Sequence, residues 1–354
     1  MGVKGLNAII KKYAPECMTE LHISMYAYQK IAVDTSLYMF KYKVIFGDRW
    51  LTAFINLVGC LRKNNIHPVF VFDSKAPVEK EDEKKKRQEK RDKQQEKLDQ
   101  LEASIQTYHD QGIVDDLLQE VYSKTVSDQL NRLLGGPTKA SSFNIRAVEE
   151  EFNRMKSKVV SIADGDFKLL KELFSTLDIQ HVQAPSEAEA YGSYLCSIGQ
   201  VDAVLSEDTD VLAYGCPKFL VKLDAIRGTC IEMDINVMYE ALGLTYSSFV
   251  DLCIMCGTDY NSNMKGIGPE KAYKLIKQYG SLDEIENAGY PTECLNYPRV
   301  RELYKFDLKN DAHIRFCGQP NWPELYKFFA RNNIRMGVDQ IKRNFEPVQI
   351  EFED

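Results

Sequence analysis

The sequence predicts an α/β fold in which a central, mostly parallel sheet is flanked by helices, with a charged helical insertion and a helical C-terminal region. Three observations carry this expectation. Short apolar, β-rich runs such as Lys30–Asp34 and Pro68–Asp73 end in an acid. That is what a parallel sheet offers at its carboxyl edge, where α/β folds place their sites. Strand-like and helix-like segments alternate from residue 30 to 73 and again from 179 onward, as strand–helix–strand crossovers require. Between these stretches, from Val78 to about Tyr108, the composition turns charged and Gln-rich with no Pro or Gly, which reads as a long exposed helix.

Taken in order, Ile31–Val33 is the first core strand, Arg49–Asn64 an amphipathic helix and Val69–Phe72 the next strand. The charged helix runs from Val78 to about Tyr108, and Leu98, Leu101 and Ile105 give it one apolar edge. Residues 110–160 read as a less regular insertion, with turn signals at Gly135-Gly136-Pro137. A helix over Phe167–Leu177 leads into a strand at Ile179–Val182. After Pro185 come a helix to about Ile198 and strands at Ala203–Leu205, Phe219–Leu223 and Cys230–Met233. Helical periodicity dominates from Val237, and there is no internal repeat. The expected divisions are therefore 1–77 and 165–260 as two parts of one core, 78–164 as a helical insertion, 261–345 as a C-terminal helical region and 346–354 as a tail.

A chain of 354 residues can bury a full α/β core and carry a smaller module. No run of eighteen apolar residues is present, so no membrane span is expected, and Lys4, Lys11 and Lys12 interrupt any signal peptide. Leu6 stands where an N-myristoylation pattern wants Ser or Thr. Nine scattered cysteines fit reduced thiols in an intracellular protein and argue against zinc. The formal net charge of −7 looks wrong for a nucleic-acid enzyme, yet seven acids singled out below account for it. Local charge pattern therefore matters more than the overall balance.

Those acids are Asp34, Asp73, Glu187, Glu189, Asp208, Asp210 and Asp259. Gathered at one sheet edge they repel unless cations hold them, and hard oxygen ligands select Mg²⁺ or Mn²⁺. The chemistry this suggests is two-metal phosphodiester cleavage. Simpler readings stand beside it. Ser186-x-x-Glu189 matches a capping box, so Glu189 could bond the start of its own helix. Asp208 could be an N-cap, although two acids two residues apart at a strand end can face one side. Asp164 and Asp166 read as turn and cap residues, and His67 and His181 as surface or packing residues. No Ser/His/Asp set and no phosphate-binding P-loop is visible.

Two further strings suggest contacts to phosphate. At 100° per residue, Lys80, Lys84, Arg87 and Arg91 fall within about 40° of one line along a helix, either as a grip on a phosphate backbone or as a solvated, ion-paired face. Lys265-Gly-Ile-Gly-Pro-Glu-Lys271 forms a tight turn with Pro269 suited to the first helical position. Its open amides, with Gly266, Gly268, Lys271 and Lys274, could receive a backbone phosphate, or the turn could simply be capped.

Met-Gly-Val-Lys-Gly-Leu6, Val33-Asp-Thr35, Val71-Phe-Asp73, Pro185-Ser-Glu-Ala-Glu-Ala190, Glu207-Asp-Thr-Asp210 and Leu252-Cys-Ile-Met-Cys-Gly-Thr-Asp-Tyr260 occur in this order before Gly-Ile-Gly-Pro269. Together they closely resemble the flap endonuclease superfamily of structure-specific 5′ nucleases, over roughly residues 1–110 and 165–345. The resemblance implies a PIN-like 5′ nuclease core, a helical arch and a helix–two-turn–helix C-terminal region. It implies that all seven acids are direct or water-mediated ligands of two Mg²⁺ ions, with Mn²⁺ able to substitute. Lys80 and Arg87 would steer the scissile phosphate, with Lys84 and Arg91 along the same helix. Gly2 would lie beside the site, and Phe40 would stack on a base. Lys265, Gly266, Gly268, Lys271 and Lys274 would hold duplex DNA, usually with a K⁺ ion.

The implied activity is Mg²⁺-dependent cleavage of 5′ flaps at single-strand/duplex junctions in replication and repair, by a monomer acting in the nucleus or another site of DNA replication. A 5′→3′ exonuclease or a bubble endonuclease of the same superfamily is the alternative within this class. A non-catalytic DNA-binding or scaffolding protein is the alternative outside it. Three departures stand out. Glu270 replaces a basic residue usual in the family, residues 110–164 are longer than in a minimal flap endonuclease, and the end Gln349–Asp354 carries no sliding-clamp-binding box.

Overall fold

The computed structural model describes residues 2–134, 143–157, 159–306 and 313–346. The turn expected at Gly135–Pro137 and the string 349–354 lie outside these residues. The chain forms two compact units, one of Met1–Tyr42, Arg49–Glu81 and Ala163–Asp354, the other of Lys43–Asp48 and Asp82–Ile162.

The larger unit is built on a seven-stranded sheet. Its strands are β1 (Met18–His22), β2 (Lys30–Asp34), β3 (His67–Phe72), β4 (His181–Gln183), β5 (Ala203–Leu205), β6 (Lys218–Asp224) and β7 (Thr229–Asp234). The spatial order is β1-β7-β6-β5-β2-β3-β4. β6, β5, β2, β3 and β4 are mutually parallel, and β7 runs antiparallel to β6 and to β1. Ile31–Asp34 and Pro68–Phe72 are buried throughout, as expected where helices cover both faces of a parallel sheet. β1 was not anticipated. Its sequence Met-Thr-Glu-Leu-His is largely exposed, so it lacks the apolar run that marked the core strands. Only pairing with β7 fixes it as a strand.

Helix α1 (Leu6–Tyr13) precedes the sheet. α2 (Thr35–Phe46) and α3 (Trp50–Lys63) connect β2 to β3. The stretch Thr35–Lys63 is long and apolar enough to cross a bilayer by length and composition, but Phe54, Leu57, Val58 and Leu61 are buried. The Phe54 ring meets Phe70 and Phe174, and Phe70 stacks on Phe174 at 3.8 Å. The apolar face of α3 therefore belongs to the sheet.

Three helices make the core of the smaller unit: α4 (Glu81–Gln111), α5 (Asp116–Leu134) and α6 (Ile145–Lys156). Leu101, Leu118, Val121, Tyr122 and Val148 form a separate apolar cluster, with Ile105 packed against it. The apolar edge expected on the long helix is thus buried by α5 and α6. The expectation of an irregular stretch over 110–160 is corrected accordingly. One apolar edge cannot stay ordered in water, and the two added helices give it a core.

In the larger unit α7 (Asp164–Thr176) precedes β4, α8 (Ala188–Ser197) follows it, and the single turn α9 (Asp210–Ala213) follows β5. Asp166 accepts from the Ala163 amide, so it does cap α7 as expected. The C-terminal helices are α10 (Ile235–Leu242), α11 (Tyr246–Cys256), α12 (Pro269–Tyr279), α13 (Leu282–Asn287), α14 (Tyr297–Leu303), α15 (Trp322–Arg331) and α16 (Val338–Lys342). Cys253 and Cys256 share a Cys-x-x-Cys spacing, but both are free and buried in the core, and burial raises both thiols, Cys256 to about 12. That spacing is one face of α11, where the cysteines pack as small apolar residues.

α11, α13 and α14 are tied by one buried acid. Asp251 is fully buried and takes two 2.7 Å bonds from the Arg301 guanidinium and one of 2.9 Å from the Leu282 amide. Removing one partner of such a pair leaves an uncompensated charge. Arg301→Ala is expected to cost about 3–5 kcal/mol in urea unfolding. A loss below about 1 kcal/mol would assign the pair the small value of a surface ion pair.

Candidate active site

The carboxyl edge of the parallel strands collects the acids because each of those strands ends there. Asp34 is the last residue of β2, and Asp73 follows β3 directly. Glu187 is the N-cap of α8 and Glu189 lies in its first turn, after β4. Asp208 and Asp210 follow β5, and Asp259 follows α11. Backbone and hydroxyl donors aim several of them. Asp34 accepts from the Leu37 amide at 3.1 Å and the Ser206 hydroxyl at 2.9 Å. Asp73 accepts from the Ala188 amide at 2.7 Å, and Asp208 from the Asp210 amide at 3.0 Å.

Gly2 reaches the same place. Its φ is +84°, and a Cβ there would lie 2.1 Å from Asp208 Oδ1 and 2.7 Å from the Asp210 amide. The chain can approach Asp208 this closely, in a left-handed conformation, only without a side chain.

One cation sits among the acids. Lys80 Nζ is 2.7 Å from Glu187 Oε1, 3.6 Å from Asp259 Oδ2 and 3.9 Å from Asp210 Oδ2. It also lies 5.0 Å from the centre of the Tyr260 ring. The Tyr260 hydroxyl donates to Glu187 Oε2 and shares a 2.8 Å bond with Tyr214.

The electrostatics show the strain of gathering these groups. Burial, then the Asp73 charge, pushes the Asp34 carboxyl up to about 7 against the bonds from Leu37 and Ser206. Glu189 and Asp210 rise well above the ordinary carboxylate range, through burial first and then their acidic neighbours. Asp73 and Asp208 are also raised, chiefly by burial. Burial opposes the Lys80 charge, but Glu187, Asp210 and Glu189 outweigh it and hold the ammonium protonated. Low-dielectric surroundings magnify all of these effects.

This donor set fits hard divalent cations. It is entirely carboxylate oxygen, which suits Mg²⁺ and Mn²⁺. Both Asp210 oxygens are buried and accept no hydrogen bond, a costly arrangement that a cation would relieve. Among the described residues, no three acids close around a single point tightly enough to enclose an ion in this arrangement. Lys80 stands between three of them instead.

The seven acids, Lys80 and Gly2 thus fall in one region. Glu187 makes no side-chain cap bond, and Glu189 is fully drawn into the acidic group, so the capping box is not formed. Asp208 keeps a local turn bond as well as its place in the group. The four-residue basic line does not hold as drawn. Lys80 belongs to a 3₁₀ turn, Val78–Lys80, and is buried, whereas Lys84, Arg87 and Arg91 lie on α4. Arg87 pairs with Glu83 at 3.2 Å and Arg91 bonds Gln88 at 2.7 Å. Extending one helical phase through residue 80 produced the misreading.

Phe40 is partly exposed on α2. Lys265, Lys271 and Lys274 are exposed around the turn before α12, and beyond the adjoining residues nothing lies within 4 Å of where a Cβ would sit at Gly266 or Gly268. The residues that sequence reasoning missed are Ser206, Tyr214 and Tyr260. Tyr260 directly follows Asp259, and that adjacency was the available signal.

Two family models match the chain, the XPG N-terminal domain over residues 1–94 and the XPG I-region over residues 178–259. A probable RAD2-like endonuclease of Invertebrate iridescent virus 3 is 34% identical over 346 residues, covering 91% of this chain and 89% of that protein. Flap endonuclease 1-B of Oryza sativa subsp. indica is 31% identical over 372 residues, covering 99% and 80%. Among solved structures, the catalytic core of Rad2 in complex with DNA substrate superposes with a TM-score of 0.65 at 18% identity, covering 96% and 98%. That likeness shows the same core fold. With the sequence identity to the viral endonuclease, it places this chain in the flap endonuclease superfamily, among the Rad2-like structure-specific nucleases.

Proposed function

We propose that this chain is a divalent-metal-dependent 5′ nuclease that cuts DNA flaps at single-strand/duplex junctions during replication or repair. The observation that carries the proposal is the gathering of seven acids, of which Asp34, Glu187, Asp208 and Asp210 are buried and neither Asp210 oxygen accepts a hydrogen bond. A protein that only binds DNA gains nothing from seven acids facing a polyanion. The relatives named as endonucleases and flap endonucleases support the same reading.

Asp34, Asp73, Glu187, Glu189, Asp208, Asp210 and Asp259 would hold two Mg²⁺ ions, directly or through water, with Mn²⁺ able to replace them. When bound, the ions would lower the pKa of a bound water and stabilise the attacking and leaving oxygens of an in-line displacement. Lys80 brings a protonated ammonium to the edge of the acids and suits the charge that grows on a transferring phosphate. The family resemblance gives Arg87, fourteen residues after Asp73, the same task. Tyr260 and Ser206 orient Glu187 and Asp34 through their hydroxyls. Gly2 keeps the approach to Asp208 clear of a side chain. The turn at Gly266–Gly268, with Lys265, Lys271 and Lys274, would hold the duplex and a K⁺ ion. Phe40 would stack on a base, and Lys84 and Arg91 would add phosphate contacts from α4.

The direct test is a labelled double-flap DNA incubated with and without Mg²⁺. Wild-type protein should cut it near the junction, and Asp210→Asn should lose on the order of 10³-fold or more in single-turnover rate while still binding DNA. Near-normal turnover by this variant at saturating Mg²⁺ would remove Asp210 from the chemistry. Preferential cutting of bubbles or blunt ends would move the substrate assignment within the superfamily.

The raised carboxyls predict a distinct stability profile without metal. Asp34 titrates near 7 in the fold against a reference value of 3.8, so between these values the folded state binds protons that the unfolded state has lost. Stability in EDTA should therefore fall as pH rises from about 4 to about 7. Added Mg²⁺ should raise the melting temperature more at pH 7.5 than at pH 5, because protons compete for the same oxygens. A flat profile in EDTA would mean that the acids are not held protonated by the fold.

A further inference from the structure

Helix α1 is fastened to the start of α12 by side chains. Lys12 Nζ lies 2.8 Å from Glu270 Oε1, and the Tyr13 hydroxyl donates to that same oxygen. The rings of Tyr13 and Tyr273 meet at 4.5 Å. Gly5 approaches so closely that a Cβ there would be 2.4 Å from Pro269 Cγ. Just before α1, Lys4 Nζ donates to Asn263 at 3.3 Å. On α12, Lys274 Nζ is 3.9 Å from Glu270.

Glu270 taken alone is an acid beside a turn whose exposed Lys265, Lys271 and Lys274 suit a phosphate. In place, it has two lysine partners, one from each helix. The Lys12 side chain remains 59% exposed although it is paired. α1 has no acid between Leu6 and Tyr13, and it buries Leu6, Ile9 and Ile10 while presenting Lys11 and Lys12 to solvent. An exposed ion pair contributes little to stability, so fixing the position of Lys12 is the larger consequence of this contact.

We propose that α1 completes the duplex-binding surface of the α12 turn. Lys12 contacts a backbone phosphate alongside Lys271 and Lys274, and Glu270 is the positioning residue that holds Lys12 there. The proposal rests on the nucleic-acid reading given above. It also accounts for an acid at a position where the family usually has a base: the charge is supplied from a neighbouring helix.

The test is equilibrium binding of the full chain to a double-flap duplex in EDTA, by fluorescence anisotropy from 50 to 200 mM KCl, with cleavage in Mg²⁺ measured in parallel. Lys12→Ala should weaken binding about three- to tenfold at low salt and flatten the slope of log K against log[salt] by about one. Lys12→Arg should restore both. Glu270→Gln separates positioning from repulsion, because removing an acid that merely repels DNA would tighten binding, whereas releasing Lys12 should weaken it. On a Lys12→Ala background the Glu270→Gln loss should vanish, since nothing remains to be positioned. Lys12→Ala with wild-type affinity and slope, in a protein that binds and cuts DNA, would overturn this inference and leave the nuclease reading intact. Tighter binding by Glu270→Gln would overturn the role given to Glu270. Wild-type protein that neither binds nor cuts DNA would overturn the nuclease reading itself.

Discussion

The larger unit is organised around a repulsion. Parallel strands deliver acids to one edge, and the fold buries Asp34, Glu187, Asp208 and Asp210 there, where water screens charge poorly. Asp34, Glu189 and Asp210 show the consequence in carboxyls pushed toward the protonated form. The local structure answers in three ways. Amides and hydroxyls bond the outer members, Lys80 enters among Glu187, Asp210 and Asp259, and the Tyr260–Tyr214 pair supports Glu187 from behind. None of these supplies the two positive charges per ion that a divalent cation would bring. The fold tolerates the acids with this partial compensation, which is the state expected of a site whose stabilisation is completed by binding.

Charge is handled differently elsewhere in the chain. Asp251 is buried like Asp34 and Asp210, yet a bidentate arginine and an amide satisfy it completely. Burial is common to these three acids, and only the supply of partners differs. Around α12 the charges are exposed and paired with lysine, a setting where electrostatics favours association with a polyanion over stability.

The core strands were legible in the sequence because they are doubly buried and therefore apolar without interruption. Ile31–Val33 and Val69–Phe72 needed no periodicity argument. β1 escaped because an edge strand half in water carries no such run. α5 and α6 escaped because their apolar residues make sense only as a core shared with α4, and a local window cannot see that sharing. All seven acids could be named from strand ends and motif order. Their electrostatic state could not, because it depends on burial and on which cation comes near. Lys80 illustrates the gap: spacing put it on a helical line facing solvent, whereas the 3₁₀ turn at Val78–Lys80 turns it inward.

If the acids form one incompletely compensated group, cation binding must displace protons. Calorimetric titration of the protein with Mn²⁺ at pH 6.5, repeated in buffers of different ionisation enthalpy, measures both the number of ions bound and the protons released. Two ions per chain with net proton release, reduced in stoichiometry or affinity by Asp210→Asn, is the result expected from the geometry. Saturable binding without proton release, or no saturable binding at millimolar Mn²⁺, would contradict it.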